Sequence, residues 1–171
     1  MDRFEIRIVG VGGQGIRTAG IVLGTAAVID GLFAAHWPSY GVETRGGPSI
    51  SDIIISRGEI DYPRVLAADV LVVLSREMLF KYLDSLKPNG LLIVDSTLAT
   101  EDMKHKDITV KIASLIDTAK RIGDPLTVNM VMLGFLIKLT EIVSIESMIK
   151  AIREVTGLDK NIEAFKLGLK L

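Results

Sequence analysis

The chain opens with a strand that runs into closely spaced glycines and then into a helix of small residues. No other stretch limits the fold as much. Ile6, Ile8 and Val9 lead into Gly10-Val11-Gly12-Gly13-Gln14-Gly15, followed by Ile16-Arg17-Thr18-Ala19-Gly20. Such a loop lets backbone N–H groups converge at a helix N-terminus, where the helix dipole favours an anion. Its spacing also satisfies G-x-G-x-x-G, the fingerprint of dinucleotide-binding folds.

That fingerprint predicts an acidic residue closing the second strand, roughly 20 residues further on, to hold ribose hydroxyls. The second strand ends Ala35-His36-Trp37-Pro38, without a carboxylate or an arginine for a 2′-phosphate. Asp30 comes too early, at the end of the preceding helix. An NAD(P)- or FAD-binding domain therefore stands as an alternative that lacks its second half. Two readings of Gly12, Gly13, Gln14 and Gly15 stay open: a tight strand-to-helix turn, or a cradle for an anion. Arg17 would add charge to the cradle, and Gln14 offers both a donor and an acceptor.

Composition narrows the chemistry. The 171 residues suit a single domain over 1–171. Aromatic residues make up only 5% against 49% apolar, so the core must be built of Ile, Leu, Val, Ala and Met. A formal charge of −1 gives no general attraction to nucleic acid or anionic membrane. The longest apolar runs, Val70–Leu74 and Leu91–Val94, fit strands and fall far short of a membrane span of about 20 residues. The charged first residues run at once into a strand with no signal-peptide pattern, so a cytoplasmic address is expected. There is no cysteine, hence no cysteine-ligated iron–sulfur cluster, disulfide or thiol nucleophile in this chain. With His36 and His105 as the only histidines, a zinc site would have to lean on carboxylates, and no metal site is expected.

Period-two and helical patterns predict strands over Phe4–Val9, Leu32–Trp37 (broken by Pro38), Ile50–Ser56, Asp69–Leu74, Leu91–Val94 and Ile108–Ile112. Helices are predicted over Ile16–Asp30, from Ser75 to about Leu86, and over Ser114–Ile122, Val128–Ile142, Ile145–Val155 and Asn161–Leu169. Ser144 and Gly157 bound the Ile145–Val155 helix as N-cap and C-terminal stop. Pro88-Asn89-Gly90 reads as a turn. Ser39–Ser49 reads as a loop, and Ile60–Pro63 as an extended segment. Strands alternating with helices give an α/β fold: a mainly parallel Rossmann-like sheet, with a mixed one as the variant, helices on both faces and a helical C-terminal third. Gly20 and Gly24 would let the first helix lie close to the sheet.

A second constellation follows in Pro38-Ser39-Tyr40-Gly41-Val42-Glu43-Thr44-Arg45-Gly46-Gly47. Glu43 and Arg45 project to one side of an extended backbone, where they could pair with each other or clamp a partner's charged groups. Taken alone, a solvated turn with an ordinary surface ion pair explains them as well. The set is more specific than its pieces. Gly12-Gly13-Gln14-Gly15 is followed by Ser39-Tyr40-Gly41-x-Glu43-x-Arg45-Gly46-Gly47, Ile60-Asp61-Tyr62-Pro63 and Ala68-Asp69-Val70-Leu71-Val72. Gly90-Leu91-Leu92-Ile93-Val94-Asp95-Ser96, Asn129…Leu133-Gly134 and Asn161…Ala164-Phe165-x-x-Gly168 complete it. In that order, it resembles the gamma subunit of the 2-oxoacid:ferredoxin oxidoreductases, most like the 2-oxoglutarate branch. Val42 and His36-Trp37 depart from the pattern, and the pyruvate, branched-chain and indolepyruvate branches remain alternatives.

The resemblance implies a subunit of an enzyme that oxidatively decarboxylates a 2-oxoacid, passing the acyl group to coenzyme A and electrons to ferredoxin. Thiamine diphosphate, Mg and [4Fe-4S] clusters would belong to the alpha, beta and ferredoxin-like delta subunits. This chain would hold no cofactor firmly and carry no catalytic residue. If Gly12, Gly13, Gln14, Gly15 and Arg17 hold a ligand, coenzyme A, with its pyrophosphate and 3′-phosphate, is a better one than NAD; a plain strand-to-helix turn or a seat for a neighbouring subunit is the alternative. Tyr40, Gly41, Glu43, Arg45, Gly46 and Gly47 are expected at the interface with a catalytic subunit, since Tyr and Arg often anchor interfaces. The isolated chain would be inactive, with a homodimer as the way to cover exposed apolar surface. A domain with a structural, interacting role alone is the remaining alternative.

Overall fold

The computed structural model describes residues 3–40, 47–100, 103 and 107–171, with Tyr40 described by its backbone alone. In chain order the elements are β1 (Arg3–Val11), α1 (Ile16–Ile29), β2 (Phe33–Tyr40), β3 (Pro48–Ser56), β4 (Ala68–Val73) and α2 (Arg76–Tyr82). They continue with β5 (Leu86–Asp95), β6 (Thr109–Ala113), α3 (Leu115–Arg121), α4 (Val128–Thr140), α5 (Ile145–Thr156) and α6 (Asp159–Gly168).

The strands form one sheet in the order β2-β3-β1-β4-β5-β6. β1, β4, β5 and β6 pair in parallel, whereas β3 runs antiparallel to both β1 and β2. The α/β fold expected from the sequence is thus a mixed sheet with one reversed strand. Side chains alternate across it. Ile6, Ile8, Ile53, Ile55, Val70 and Val72 pack under α1 and the C-terminal helices. Val9, Ile54, Leu71, Val73, Leu92 and Val94 meet Met78 and Leu79 of α2 on the other face. Helices cover both faces as predicted, but unequally: α2 alone shares its side with the extended segment after β3.

Most of α4 is core: Val128 to Ile137 are all buried. At Gly134 α4 crosses α6 so closely that a Cβ would lie 2.1 Å from the Phe165 carbonyl oxygen. The reciprocal Cβ at Gly168 would lie 2.0 Å from the Val131 oxygen. α5 has the predicted ends: the Ser144 hydroxyl accepts from the Ser147 N–H, and Gly157 follows in the left-handed conformation at φ 66. Asp30, past the end of α1, accepts from the Ser144 N–H and from both the Ser144 and Ser147 hydroxyls. Burial pushes its carboxyl up, but these hydrogen bonds outweigh that and hold its pKa below the usual value. No helix of the described residues is long and apolar enough to cross a membrane.

Three boundaries differ from expectation, each for a local reason. Pro38 does not end β2, which continues to Tyr40 opposite Ser49. β2 is an edge strand, and a missing N–H is tolerated where one side has no partner. The helix after Ser75 stops at Tyr82 and tightens into a 3-10 turn over Leu83–Ser85, because Leu86 already pairs with Ala68. Pro88-Asn89-Gly90 therefore lies inside β5 as an irregularity, where pairing jumps from Ala68–Leu86 to Val70–Leu91 and Asn89 takes φ 62. His105, one of the two histidines, lies outside the described residues.

Candidate functional site

The glycine loop sits at the carboxyl ends of β1 and β4, the edge where open α/β sheets gather their ligands. Its shape is fixed from within. Gln14 Oε1 accepts from the Val11 N–H at 2.8 Å, and Gln14 Nε2 donates to the Leu74 carbonyl at 3.0 Å. The same side chain thus bridges the ends of β1 and β4, and both of its polar groups are spent on backbone. Gly10 makes room for it, since a Cβ there would meet Gln14 Oε1 at 2.4 Å. Gly13 and Gly15 take φ 96 and φ 68, conformations that favour glycine. At Gly15 the space is also closed: a Cβ would strike the Asn129 Nδ2 at 2.3 Å. Asn129, buried at the start of α4, donates to the Gly15 carbonyl at 3.1 Å and accepts from the Met130 N–H at 2.9 Å.

The outer side of the loop is open. Gly12 and Gly13 are exposed, and no described residue lies within 4 Å of the position a Cβ would take on Gly13. The first N–H groups of α1 have no intrahelical partners, as at any helix start. Arg17 stands exposed in the first turn of α1 and makes no ion pair among the described residues. Its charge reaches His36 on β2. Burial first, and then Arg17, push the His36 pKa below its ordinary value against a smaller opposing pull from Asp52. His36 Nε2 lies 3.0 Å from Ser51 Oγ, whose own hydrogen goes to the Ile16 carbonyl at 2.9 Å. Ser51 must therefore accept, which assigns the proton to Nε2.

The two sequence motifs meet at this edge. The Gly12 N–H donates to the Gly47 carbonyl at 2.9 Å, and Gly10 and Val11 pair with Ser49 and Pro48. Of the second constellation, Tyr40 is placed by its backbone at the end of β2 and Gly47 beside the loop, while Gly41, Glu43, Arg45 and Gly46 lie outside the described residues. Asn129 and Ser51 were given no role from sequence. The signal for Asn129 was a polar residue just before the apolar run Met130–Ile137.

Asp95 behaves as a local acceptor. It is fully buried and takes hydrogen bonds from the Thr97 N–H and hydroxyl and from the Ile116 N–H. The dinucleotide reading fares poorly on topology. β2, which should flank β1 to close a ribose site, is separated from it by β3, and the Asp30 carboxylate is occupied by Ser144 and Ser147. Among the described residues no group of three or more His, Asp or Glu is placed to hold a metal ion.

Comparison with known proteins gives a consistent picture. A family model described as pyruvate ferredoxin/flavodoxin oxidoreductase matches residues 5–171. The 2-oxoglutarate synthase subunit KorC of Methanothermobacter marburgensis is 42% identical, over 99% of this chain and 96% of that protein. The ketoisovalerate oxidoreductase subunit VorA of Methanothermobacter thermautotrophicus is 30% identical over 97% of this chain, but the match spans only 31% of that longer polypeptide. Among solved structures, the gamma subunit of a keto/oxoacid ferredoxin oxidoreductase from Geobacter sulfurreducens superposes with a TM-score of 0.88 at 37% identity, covering 99% of this chain and 96% of that one. A 2-oxoglutarate:ferredoxin oxidoreductase from Magnetococcus marinus, with 2-oxoglutarate, coenzyme A and succinyl-CoA bound, shares the fold at a TM-score of 0.91 and 24% identity, covering 99% of this chain and 31% of that one.

Proposed function

This chain belongs to the pyruvate ferredoxin/flavodoxin oxidoreductase family, and we propose that within it the chain is the gamma subunit of a cytoplasmic 2-oxoglutarate:ferredoxin oxidoreductase. The observation that carries the 2-oxoglutarate assignment is the 42% identity, end to end, with a 2-oxoglutarate synthase subunit, against 30% for the ketoisovalerate enzyme. The chain has no cysteine for cluster ligation. The family resemblance assigns thiamine diphosphate, Mg and the [4Fe-4S] clusters to alpha, beta and ferredoxin-like delta subunits, with ferredoxin as the acceptor.

The part left to this chain is assembly and one wall of the coenzyme A site. Gly12, Gly13, Gly15 and Arg17 fit a phosphate: Gly12 and Gly13 are exposed, no described residue fills the space over Gly13, and α1 presents its open N–H groups there. Gln14 acts by holding the loop to β1 and β4. Coenzyme A, when bound, supplies the thiol that takes the acyl group. The loop residues do no covalent chemistry; they hold an anionic part of the carrier while the reaction proceeds on the neighbouring subunit. Tyr40, Gly41, Glu43, Arg45, Gly46 and Gly47 are assigned to that subunit's interface, since Tyr and Arg are residue types that often anchor interfaces.

The test is coexpression with the partner subunits, followed by ferredoxin reduction assayed with 2-oxoglutarate, pyruvate and branched-chain 2-oxoacids in the presence of coenzyme A. Reduction is expected with 2-oxoglutarate foremost and only from the assembled enzyme. Activity with pyruvate alone would overturn the substrate assignment, and reduction by this chain without partners would overturn the subunit assignment. Arg17→Ala should raise the KM for coenzyme A and leave that for the 2-oxoacid unchanged.

A further inference from the structure

The peptide units that open α1 receive more donors than their carbonyls need. Asn129 Nδ2 donates to the Gly15 carbonyl at 3.1 Å, and Ser51 Oγ donates to the Ile16 carbonyl at 2.9 Å. Neither carbonyl is short of a partner. The Gly15 oxygen already accepts from the Ala19 N–H at 2.9 Å, and the Ile16 oxygen meets the Gly20 N–H as part of the helical ladder. Asn129 and Ser51 are 5% and 0% exposed, so each is a polar side chain taken out of water to put a second donor on a carbonyl that has one.

The second donors act on the other end of each peptide. A peptide unit is a rigid plane with its carbonyl and N–H pointing opposite ways. A group that fixes the Gly15 carbonyl therefore fixes the Ile16 N–H, and one that fixes the Ile16 carbonyl fixes the Arg17 N–H. Those two N–H groups are among the ones that a helix start leaves without intrahelical partners. The helix supplies no acceptor for them: Gly15 stands at the N-cap position with no side chain to offer, and no acidic residue lies in the first turn. A donor on the carbonyl also polarises the plane and strengthens its N–H as a donor. Behind Ser51 the row continues, since His36 Nε2 lies 3.0 Å from the same hydroxyl and donates to it. β3, backed by β2, and α4 thus hold the start of α1 from the carbonyl side and leave its N–H side to the open face of the loop.

We propose that Asn129 and Ser51 are positioning residues for coenzyme A: they aim and polarise the Ile16 and Arg17 N–H groups toward the phosphate assigned to the loop, and touch no ligand themselves. Their role rests on the coenzyme A reading of the loop and adds to it the side chains that stand behind it. It differs from a purely structural role in one respect. Asn129 also accepts from the Met130 N–H at 2.9 Å, and a residue kept for that bond alone would serve as well without its amide hydrogens. An aspartate in its place keeps the shape and the acceptor and loses the donor.

The experiment is steady-state kinetics of the enzyme assembled by coexpression of the full chain with its partner subunits, with coenzyme A and 2-oxoglutarate varied in turn. Asn129→Asp, Asn129→Leu and Ser51→Ala should each raise the KM for coenzyme A about fivefold, the equivalent of one hydrogen bond. The KM for 2-oxoglutarate, and kcat at saturating coenzyme A, should stay at their wild-type values. Ser51→Cys, which keeps a weak donor in place, should recover part of the effect. Melting of each purified chain reports folding; a loss of fold lowers the yield of active enzyme without separating the two KM values. Wild-type KM for coenzyme A in Asn129→Asp, Asn129→Leu and Ser51→Ala, while Arg17→Ala raises it, would overturn the positioning role, as would an equal rise in both KM values. A wild-type value in all four variants would instead overturn the coenzyme A reading, and the positioning role with it.

Discussion

Gly134→Ala is expected to loosen the C-terminal helical layer, and its cost follows from where α4 crosses α6. The new methyl carbon would lie 2.1 Å from the Phe165 oxygen and 2.9 Å from both Gly168 Cα and Leu169 N. All three are backbone atoms, so no side-chain rotation relieves the overlap. A carbon–oxygen contact relaxes only near about 3.3 Å, which requires α6 to move by more than an ångström. A gap of about 0.5–1 Å already forfeits about a quarter to a half of each van der Waals contact along the seam. Overpacking costs about 1–3 kcal/mol, and a backbone-to-backbone overlap belongs at the upper end of that range. The better helix propensity of alanine offsets about 1 kcal/mol. The net loss of about 2 kcal/mol corresponds to a melting temperature lower by about 4–8 °C for a domain of this size. Circular dichroism melts and urea titrations of the purified chain measure both quantities. A variant that melts at or above the wild type would refute the crossing geometry. Gly24→Ala serves as the internal contrast, since the same substitution is expected to act in the opposite direction where the nearest atom to a new Cβ is the Ala34 Cβ at 3.9 Å.

Asp52→Ala should destabilise the chain by about 3–5 kcal/mol in urea unfolding, because it strands a charge that is mostly buried. Arg7 makes a two-pronged pair with Asp52 at 2.7 and 2.8 Å and also donates to the Val65 carbonyl. The hydrogen bond and charge of Asp52 hold the guanidinium above its usual pKa despite burial. The double variant Arg7→Leu/Asp52→Leu should regain most of that loss; a double variant no more stable than Asp52→Ala would count against the stranded-charge account. For His36 the folded chain keeps the ring neutral to lower pH than the unfolded chain does. The unfolded state then binds the extra proton, so this part of the stability is complete above about pH 6.5 and declines as pH falls toward the folded value, by at most about 1.4 kcal/mol per unit. Unfolding free energies from about pH 7.5 to 5.5 should show this slope in the wild type and lose it in His36→Gln; parallel curves would rule it out.

Much of the fold could be read from the sequence where a local rule had one solution. Ser144 and Gly157 bounded α5 because an N-cap hydroxyl and a left-handed glycine are each specific to one helix end. The β1–loop–α1 unit was equally plain. What the sequence left ambiguous depended on neighbours distant along the chain. Pro38 looks like a stop until β2 is known to be an edge, and Pro88-Asn89-Gly90 looks like a turn until Leu86 is known to pair with Ala68. The insertion of β3 between β2 and β1, which removes the dinucleotide geometry, has no signal in the glycine spacing at all. At the site, Gln14 was recognised as a donor and acceptor, but only the tertiary structure shows both groups consumed by Val11 and Leu74. Asn129 could not be matched to Gly15 across more than a hundred residues without a fold.

The Arg7–Asp52 pair also sets an alignment. Ile53, Ile54 and Ile55 are all buried, so apolar patterning alone would accept β3 slid by two residues along β1 with every side chain still on its proper face. Such a slip would carry Gly47 about 7 Å away from Gly12 and part the two glycine motifs. One ion pair, set midway along two otherwise interchangeable rows of isoleucine, therefore works like the dowel in a joint. It carries no ligand itself, yet it decides whether the two glycine motifs, the surfaces proposed for the carrier and the partner, arrive side by side.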